Sequence, residues 1–186
     1  MFGNKVKIWK PYTGYVDAYT ETQKIEIKYV NKSPHKNPIY EHEGDSGFDA
    51  RAWITEEDAG AKLDKESSCM TITLKPLERR KIHTGIYFEL PDFTEIQCRS
   101  RSGRSLEDGL VVVNSPATID EKYRGEACVL IINLSNNKLT IKDGEKIGQF
   151  VLCPVYNSRL TKLTEVEEIA NNTDRGEDGF GSTGKE

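Results

Sequence analysis

The stretch EACVLIINL, residues 126–134, is apolar at almost every position after its first. A strand that is buried on both faces has this pattern, whereas a strand with one solvent-facing side alternates between apolar and polar residues. A second run of this kind, KIGQFVLCPV, spans residues 146–155. The pairs Asn136-Asn137 and Asp143-Gly144 lie between the two runs and have the residue types that form turns. The sequence therefore predicts two buried central strands.

Shorter runs elsewhere in the chain alternate between apolar and polar residues, as half-buried strands do. The alternating runs are KIEIKYV (24–30), RRKIHTGIYFELP (79–91) and TEIQCRS (94–100). LTEVEEI (163–169) is predicted to be a late edge strand, because its charges would face solvent. Short strands separated by Gly, Asn and Asp turns favour an all-β sandwich or barrel.

The chain has 186 residues, a length typical of one domain, and no segment is rich enough in Gly, Ser or Pro to separate two domains. We therefore expect a single domain over residues 1–186. Residues 1–23 form an N-terminal extension of unknown role. Residues 55–68 form an insertion loop or a helical turn capped by Thr55. Residues 171–186 contain four glycines and one apolar residue, so this tail is expected to be mobile.

Charge and composition exclude several classes of protein. Lys and Arg number 26 and Asp and Glu number 30, so the net charge of −4 does not suit a protein that binds nucleic acid through a basic surface. No run approaches the roughly 18 apolar residues of a membrane span. The N-terminus lacks the apolar segment of a signal peptide, and the four cysteines fit reduced thiols, so a cytoplasmic location is expected. The cysteines and the three histidines match no metal-site spacing, so no metal held by protein ligands is predicted.

Arg101, Ser102 and Gly103 combine a guanidinium, a hydroxyl and an unhindered N–H group. This combination suits phosphate binding, although a surface turn with a salt bridge would contain the same residue types. Asp49 begins an apolar segment. A buried carboxylate there must pair with an arginine or a neighbouring loop, or support a metal–phosphate complex. Gln149 interrupts an apolar run, so its amide needs another strand or a ligand phosphate as a partner.

LVVVNSPATID, residues 110–120, is predicted to be a β-hairpin that turns at Asn114-Ser115-Pro116. The main-chain groups of such a hairpin, together with the Asn114 amide, can hydrogen-bond a planar base. Ile119 and Asp120 end the hairpin. The Asp120 carboxylate can orient and deprotonate a water molecule there, although a lone aspartate in a turn is more often structural.

The C-terminal tail allows two interpretations. A terminus of this composition is frayed in many proteins. Alternatively, its glycines and hydroxyls form a site for a polyphosphate, and the tail closes only when a nucleotide is bound. The residues that favour the second interpretation are Arg175, Phe180, Gly181, Ser182 and Thr183. The phenyl ring would then stack on a base.

Five short motifs occur in order between residues 46 and 184. They are SGFDA (46–50), RSGRSLEDG (101–109), NSPATIDEKYRGE (114–126), KIGQFV (146–151) and RGEDGFGSTG (175–184). Together they resemble the five motifs of the trimeric dUTP pyrophosphatase (dUTPase) family. The resemblance implies an all-β, jelly-roll-like β-clip fold with a flexible glycine-rich C-terminal tail. It also implies hydrolysis of dUTP to dUMP and pyrophosphate, which limits uracil incorporation into DNA and supplies dUMP.

The resemblance implies a role for each matching residue. Asp120 is similar to the aspartate that activates the attacking water, and Tyr123 to the tyrosine that excludes a 2′-hydroxyl. Asn114 and Ile119, with the hairpin main chain, are similar to the residues that contact uracil. Asp49 is similar to a supporting aspartate that does not contact the substrate. The phosphate contacts and the closing tail correspond to Arg101, Ser102, Gly103, Gln149, Arg175, Phe180, Gly181, Ser182 and Thr183.

Members of the family bind Mg²⁺ through the substrate phosphates and waters, and this sequence shows no dedicated metal cage. They are homotrimers whose active sites lie at subunit boundaries and are closed by a neighbour's tail. The resemblance therefore implies a Mg²⁺-dependent homotrimer that binds dUTP, with neither a membrane nor nucleic acid as a partner.

Four positions depart from the family's motifs. Ala117 stands where glycine is usual, and its β-carbon would crowd the substrate if the nearby main chain contacted it. Asp178 replaces a glycine in the tail and adds negative charge near a polyanion. Ser100 replaces a proline, and Phe48 replaces a tyrosine. None of them removes a chemical group that the reaction needs.

Three other functions stay open. A dCTP deaminase of the related fold would release ammonia from dCTP, although the glycine-rich tail and the TID-x-x-Y pattern favour the pyrophosphatase. A nucleotide-sensing or protein-binding module would bind dUTP without hydrolysing it. A structural, coat-type trimer would not need Asp120, Tyr123 or Arg175.

Overall fold

The structure of the protein, a computed structural model, describes residues 5–10, 14–19, 24–170, 172–174 and 176. The chain divides into two compact units, Met1–Val155 and Tyr156–Glu186. All strands found among the described residues belong to the first unit. The described part of the second unit consists of turns and irregular chain. A single domain over the whole chain stays a prediction.

The described part of the first unit contains fourteen β-strands and one short helical turn of π type, Arg104–Asp108. The strands are β1 (Lys5–Lys10), β2 (Gly14–Tyr19), β3 (Lys28–Asn31), β4 (Gly47–Arg51), β5 (Lys62–Asp64), β6 (Cys69–Leu74), β7 (Arg79–Ile82), β8 (Ile86–Glu89), β9 (Thr94–Arg99), β10 (Leu110–Val112), β11 (Ala117–Ile119), β12 (Val129–Asn133), β13 (Leu139–Lys142) and β14 (Lys146–Pro154). Their pairings are antiparallel. The predicted all-β class is therefore confirmed. Within the described ranges, no helix has the length and apolar character needed to cross a membrane.

The two strands predicted to be central lie inside their sheets. β14 lies between β9 and β4 in a sheet of order β11-β9-β14-β4, and β12 lies between β10 and β7. Three further groups, β13-β6-β5, β3-β8 and β1-β2, complete the pairing among the described strands. In β12, Val129 and Ile131 are buried but Leu130 between them is 39% exposed. The prediction of burial on both faces is therefore wrong for β12, because this sheet has only one face on the core.

The sheets bury a core that includes three phenylalanines. Phe88 of β8 and Phe150 of β14 meet edge to face with ring centroids 5.5 Å apart, and Phe48 of β4 lies 5.9 Å from Phe150. Such aromatic pairs contribute about 0.5–1.5 kcal/mol beyond the burial of their area. Phe48 is 5% exposed, so the departure from tyrosine at this position adds an apolar ring to the core.

The predicted hairpin over residues 110–120 is wrong in its pairing. β10 and β11 flank a turn at the expected place, but β10 pairs with β12 and β11 pairs with β9. Residues 113–116 therefore carry the chain from one sheet to another. Alternation along one segment indicates which faces a strand buries, but it does not identify the strand's partner.

Three other segments also differ from expectation. Residues 163–169 form no strand, and Leu163 is 99% exposed. An alternating sequence alone is not enough, because a strand is stable only when it pairs with a neighbouring strand. Residues 55–68 contain a turn, in which Asp58 N–H donates to the Thr55 carbonyl at 3.2 Å, followed by β5, which pairs with β6. They therefore form a loop with its own short strand rather than a helical turn. Residues 1–23 include the paired strands β1 and β2, which no clear alternation had indicated.

Candidate active site

Strands β4 and β14 place two of the predicted site residues side by side. Asp49 of β4 lies directly opposite Gln149 of β14 in the antiparallel register. Directly opposed residues project from the same face of a sheet, so the carboxylate and the amide face the same space. Gly47 makes room for them, because a β-carbon there would lie 2.8 Å from Cδ of Gln149.

Asp49 lies between two cations. Its Oδ1 is 3.3 Å from Nε of Arg101, and its Oδ2 is 2.5 Å from Nζ of Lys146. Lys146 also contacts Oε1 of Glu41 at 3.1 Å. Hydrogen bonds to Asp49 and Glu41 raise the pKa of the Lys146 ammonium above its usual value. The mostly buried carboxylate of Asp49 is thus paired, as its position requires, and it holds both cations in one place.

A cleft of about 400 Å³ opens beside these residues. Its charged lining comprises four acidic and three basic residues: Glu41, Asp45, Asp49, Glu107, Arg101, Arg104 and Lys146. Arg104 is already paired with Asp108 at 2.6 Å and with Glu145 at 3.0 Å. The lining is therefore not a simple basic pocket, and a highly charged anion would need further positive charge in order to bind there.

Ser102, Gly103 and Gln149 supply the uncharged polar groups of the cleft. Ser102 and Gly103 are exposed, and a β-carbon on Gly103 would meet nothing within 4 Å. Within the described ranges, no residue hydrogen-bonds to the Gln149 amide. The cleft therefore brings five predicted residues together, and it leaves a hydroxyl, an N–H group and an amide available to a ligand.

Ser100 connects this cleft with the turn at residues 113–116. Its Oγ accepts a hydrogen bond of 2.9 Å from the Val112 N–H, and its own N–H donates to Oγ of Ser115 at 3.3 Å. Proline, the usual residue of the resembled family here, has neither an N–H group nor a hydroxyl. The departure at Ser100 therefore adds two polar links at this position.

Ala117 and Ile119 face the core rather than solvent. Ala117 is directly opposite the buried Cys98 and packs against the core, and Ile119 is directly opposite Ile96 and is 8% exposed. The expected crowding of substrate by the Ala117 methyl group is therefore not supported, because that group is packed inside. For the same reason, a contact between Ile119 and a ligand would have to come from its main chain.

Asp120 and Tyr123 lie at the two ends of one turn. The Tyr123 N–H donates to the Asp120 carbonyl at 3.0 Å, and the Tyr123 hydroxyl donates to the Glu126 carbonyl at 3.1 Å. Both side chains are exposed, and Tyr123 is 48% exposed. A β-carbon on Gly125 would overlap the Tyr123 hydroxyl, so glycine is needed for this ring position.

Two glutamates anchor this turn. Glu121 is 4% exposed, and its carboxylate accepts a hydrogen bond of 2.9 Å from the Phe93 N–H. The Glu126 carboxylate accepts hydrogen bonds from the N–H groups of Thr84 and Gly85 at 2.8 and 2.7 Å. Burial opposes the ionisation of Glu126, but the hydrogen bonds from His83, Gly85 and Thr84 outweigh it and lower the carboxyl pKa. The turn is therefore fixed at both ends.

The predicted residues fall into two groups in the single chain. Asn114, Asp120 and Tyr123 are exposed around the turns at 113–116 and 120–126 and do not belong to the lining of the cleft. The tail residues with predicted roles, Arg175, Phe180, Gly181, Ser182 and Thr183, and the departure Asp178, lie outside the described residues.

The sequence interpretation gave no role to three residues that contact the predicted site residues or hold them in place. Lys146 and Glu41 complete the ion pairs around Asp49, and Glu126 anchors the turn of Asp120. A lysine at the start of an apolar run was a usable signal for Lys146. Glu126 was inside a quoted motif but received no role, and Glu41 had no sequence signal.

One group of side chains outside the cleft has the atoms of a metal site. Ligand atoms of His83, Glu126 and Cys128 all lie within 4.8 Å of one another. Burial, with a further contribution from the Glu126 carboxylate, raises the pKa of the Cys128 thiol to about 11. No spacing in the sequence indicated this group, because its members come from segments more than forty residues apart.

Comparisons with known proteins identify the family. A model of the dUTPase family matches residues 54–184. The deoxyuridine 5′-triphosphate nucleotidohydrolase of Cytophaga hutchinsonii is 43% identical over 159 residues, which cover 86% of this chain and 92% of that protein. The protein of the same name from Fusobacterium nucleatum is 41% identical over 163 residues, which cover 88% of this chain and 99% of that protein.

A solved structure shows the same fold. The Staphylococcus bacteriophage 80alpha dUTPase, in its structure with dUPNHPP, superposes with a TM-score of 0.69 at 24% sequence identity, covering 86% of this chain and 98% of that chain. The likeness supports the fold, for which a jelly-roll-like β-clip is consistent with the observed strands.

Proposed function

The chain belongs to the dUTPase family, and on that basis we propose how its residues carry out the family's reaction. The activity is the hydrolysis of dUTP to dUMP and pyrophosphate, so the chain is a dUTP diphosphatase. This assignment sets aside the dCTP deaminase, the non-catalytic module and the structural trimer.

Asp120 is the proposed general base. Its carboxylate is exposed, and none of the described residues forms an ion pair with it. A water oxygen forms a bond to the α-phosphorus while the bond from that phosphorus to the bridging oxygen breaks. The proton lost by the water passes to Asp120, and pyrophosphate leaves with the bridging oxygen.

Tyr123 is proposed to select deoxyribose. The hydroxyl of Tyr123 is bonded to the Glu126 carbonyl, which fixes the ring next to Asp120. A fixed ring beneath the sugar leaves no space for a 2′-hydroxyl. UTP should therefore be excluded by the ring itself rather than by a polar contact.

The turn at 113–116 is proposed to recognise uracil. Asn114 is exposed there, and in the described part of the chain its main-chain groups make no hydrogen bond. Free N–H and carbonyl groups in a fixed turn can hydrogen-bond to uracil. Cytosine has an amino donor where uracil has a carbonyl acceptor, so the same main-chain donor cannot bond to it. Ile119, whose side chain is buried, would contribute through its main chain.

The cleft beside Asp49 is proposed to take the phosphates through Arg101, Ser102, Gly103 and Gln149. N–H groups, a hydroxyl and a guanidinium can bind phosphate oxygens. The cleft nevertheless has four acidic residues against three basic ones, so its own charge does not balance that of a triphosphate. The family uses a divalent metal, and Mg²⁺ fits here because it binds the substrate's phosphate oxygens and retains several waters, so it needs no protein ligand. When bound, it would neutralise charge on the triphosphate.

We propose a homotrimer with active sites shared between subunits. The support is that Asn114, Asp120 and Tyr123 do not line the phosphate cleft of their own chain, as expected if a second copy completes the site. The tail residues Arg175, Phe180, Gly181, Ser182 and Thr183 are proposed to close the site over the γ-phosphate and the base. A cytoplasmic location is proposed because the four cysteines are free thiols.

The turn that joins Asp120 to Tyr123 is the observation that carries this mechanism. The test measures pyrophosphate release from dUTP, dCTP, dTTP and UTP with Mg²⁺, and ammonia release in parallel. We expect turnover of dUTP alone. Ammonia from dCTP, or equal turnover of UTP, would contradict the proposed roles. Deleting residues 174–186 should cripple turnover without unfolding the chain, and an unchanged rate would remove the tail from the mechanism.

A further inference from the structure

Three side chains that can ligate metals converge next to strand β12. His83 follows β7, while Glu126 and Cys128 precede β12, the strand that pairs with β7. Nδ1 of His83 lies 2.6 Å from Oε2 of Glu126 and 3.7 Å from Sγ of Cys128. Around a tetrahedral zinc ion, bond lengths of about 2.0–2.3 Å place ligand atoms about 3.3–3.6 Å apart. The nitrogen and sulfur are already near that separation, and the separation of the nitrogen from the oxygen would need to widen by less than an ångström.

The carboxylate of Glu126 is fixed in an orientation that suits a ligand. Its Oε1 accepts the N–H groups of Thr84 and Gly85, while Oε2 is directed to His83. Because one oxygen is fully used by the main chain, the other is held in place for a cation. The Cys128 N–H donates to the Glu126 carbonyl at 2.9 Å, which fixes the relation between these two ligands.

A second carboxylate lies on the Nε2 side of the His83 ring, opposite the nitrogen that contacts Glu126. Oδ1 of Asp58 lies 4.0 Å from Nε2 of His83. The other oxygen of Asp58 accepts hydrogen bonds from the N–H and hydroxyl of Thr55 at 2.7 and 3.1 Å. A carboxylate hydrogen-bonded behind a ligating histidine is the usual support of a metal-bound imidazole, and Asp58 would have to approach His83 by about 1 Å to form that bond.

A solvent-filled cavity reaches His83, one member of this group. A cavity of about 590 Å³ is lined by Trp53, Thr55, Glu56, Glu57, Asp58 and His83. Its three carboxylates attract cations, and its volume admits waters that could complete a coordination shell. The three converging side chains do not line the phosphate cleft.

We propose that His83, Glu126 and Cys128 form a binding site for a divalent transition metal of the zinc type, with water as the fourth ligand. A set of nitrogen, oxygen and sulfur ligands favours Zn²⁺ over Mg²⁺, which prefers oxygen alone. The site is separate from the metal that accompanies the nucleotide. On binding, the metal replaces the proton shared by His83 and Glu126 and the proton of the thiol.

The test uses Co²⁺ as a spectroscopic probe on the full-length, chelator-treated protein without nucleotide. We expect a thiolate-to-cobalt charge-transfer band in the near ultraviolet, tetrahedral d–d bands in the visible, and saturation at one equivalent per chain. Zn²⁺ should abolish both sets of bands by displacement. Cys128→Ser should remove the charge-transfer band, whereas Cys153→Ser, a half-buried thiol on β14, should leave it unchanged.

Two further measurements make the proposal independent of how one variant folds. Asp58→Asn should weaken Zn²⁺ binding by about tenfold, the effect of losing a carboxylate behind a ligating histidine. Cadmium-113 NMR of the unmodified protein should show one resonance in the range of a single thiolate ligand. The proposal is overturned if the unmodified protein gives no charge-transfer band, if Cys153→Ser removes the band, or if the cadmium resonance lies in the all-oxygen range.

Discussion

The main-chain N–H of Tyr123 donates a hydrogen bond of 3.0 Å to the carbonyl oxygen of Asp120. The proposed base and the proposed sugar-selecting ring are therefore fixed to each other by one turn, whatever else moves when a substrate binds. Glu121 and Glu126 anchor the same turn to the main chain at Phe93 and at Thr84 and Gly85. We therefore expect that the rate of hydrolysis and the discrimination against UTP can be changed independently only by substituting the side chains of Asp120 or Tyr123.

Asp120→Asn should lower kcat by about 10²–10⁴-fold, the usual contribution of a general base, because the amide cannot accept the proton of the water. The affinity for a non-hydrolysable dUTP analogue should change little. Single-turnover pyrophosphate release and equilibrium binding measure the two effects. Asp64→Asn on β5 is the control and should keep wild-type turnover. Wild-type turnover in Asp120→Asn would show that another group is the base.

Gly125→Ala should reduce discrimination against UTP, because the added β-carbon overlaps the Tyr123 hydroxyl and displaces the ring. We expect the ratio of kcat/KM for dUTP and UTP to fall by at least about tenfold, as in Tyr123→Ala. Tyr123→Phe keeps the ring and should keep most of the discrimination. If Gly125→Ala discriminates as well as the wild type, the ring is not the selecting element.

Asp49→Asn should raise KM for dUTP by about tenfold with a smaller change in kcat, because Arg101 and Lys146 lose the carboxylate that positions them. Steady-state kinetics separate the two constants. Glu107→Gln is the matched control: it removes a carboxylate from the same cleft without breaking an ion pair recorded among the described residues. Its KM should stay the same or fall. A rise of equal size in both variants would indicate a general effect on the cleft.

Cys98 should make stability depend on pH above neutrality. Burial raises the pKa of its thiol to about 12, from 9.0 when exposed. Below pH 9 both states keep the proton, so the full contribution is present. As the pH rises further, the unfolded chain loses its proton first, and stability should fall by up to about 1.4 kcal/mol per pH unit. Urea unfolding of wild type and Cys98→Ala at pH 7 and pH 10 measures this difference, which should be smaller in the variant; the part that remains includes the contribution of Cys128, whose pKa is also raised.

Ala117→Gly should lower stability by about 1 kcal/mol, because it removes a methyl group that packs against the core and adds glycine's entropy to a strand. Selectivity between dUTP, dCTP and UTP should not change, because the methyl group is on the core face. Thermal unfolding and the three kcat/KM values provide the measurements. Altered selectivity would mean that the methyl group does reach the substrate.

The strands, turns and motifs that were predictable from sequence are those that depend on residues close together in the chain. The runs 126–134 and 146–155 predicted the central strands β12 and β14, and Asp143-Gly144 predicted a turn in which Gly144 has a φ of +82°. The five ordered motifs identified the family, because each is a short stretch whose residues are neighbours in the sequence. Asp49 was expected to be paired because a carboxylate in an apolar segment cannot stay unpaired.

The features that were missed depend on contacts between distant segments. The strands on either side of Asn114 looked like a hairpin, but their partners β12 and β9 are chosen by the whole sheet arrangement. Residues 163–169 have strand-like alternation but no strand. Likewise, His83 and Cys128 appeared too scattered to share a site, because 45 residues separate them in sequence although 3.7 Å separates Nδ1 from Sγ.

In one chain, Asp120 does not line the phosphate cleft around Asp49. Damage to one of these surfaces therefore leaves the other intact. In an assembly built from two differently damaged subunits, some boundaries would join a sound cleft to a sound turn, so two inactive variants could complement each other. By the same geometry, a subunit damaged at only one of the two surfaces would spoil only one boundary of the proposed trimer, so its effect would not be fully dominant.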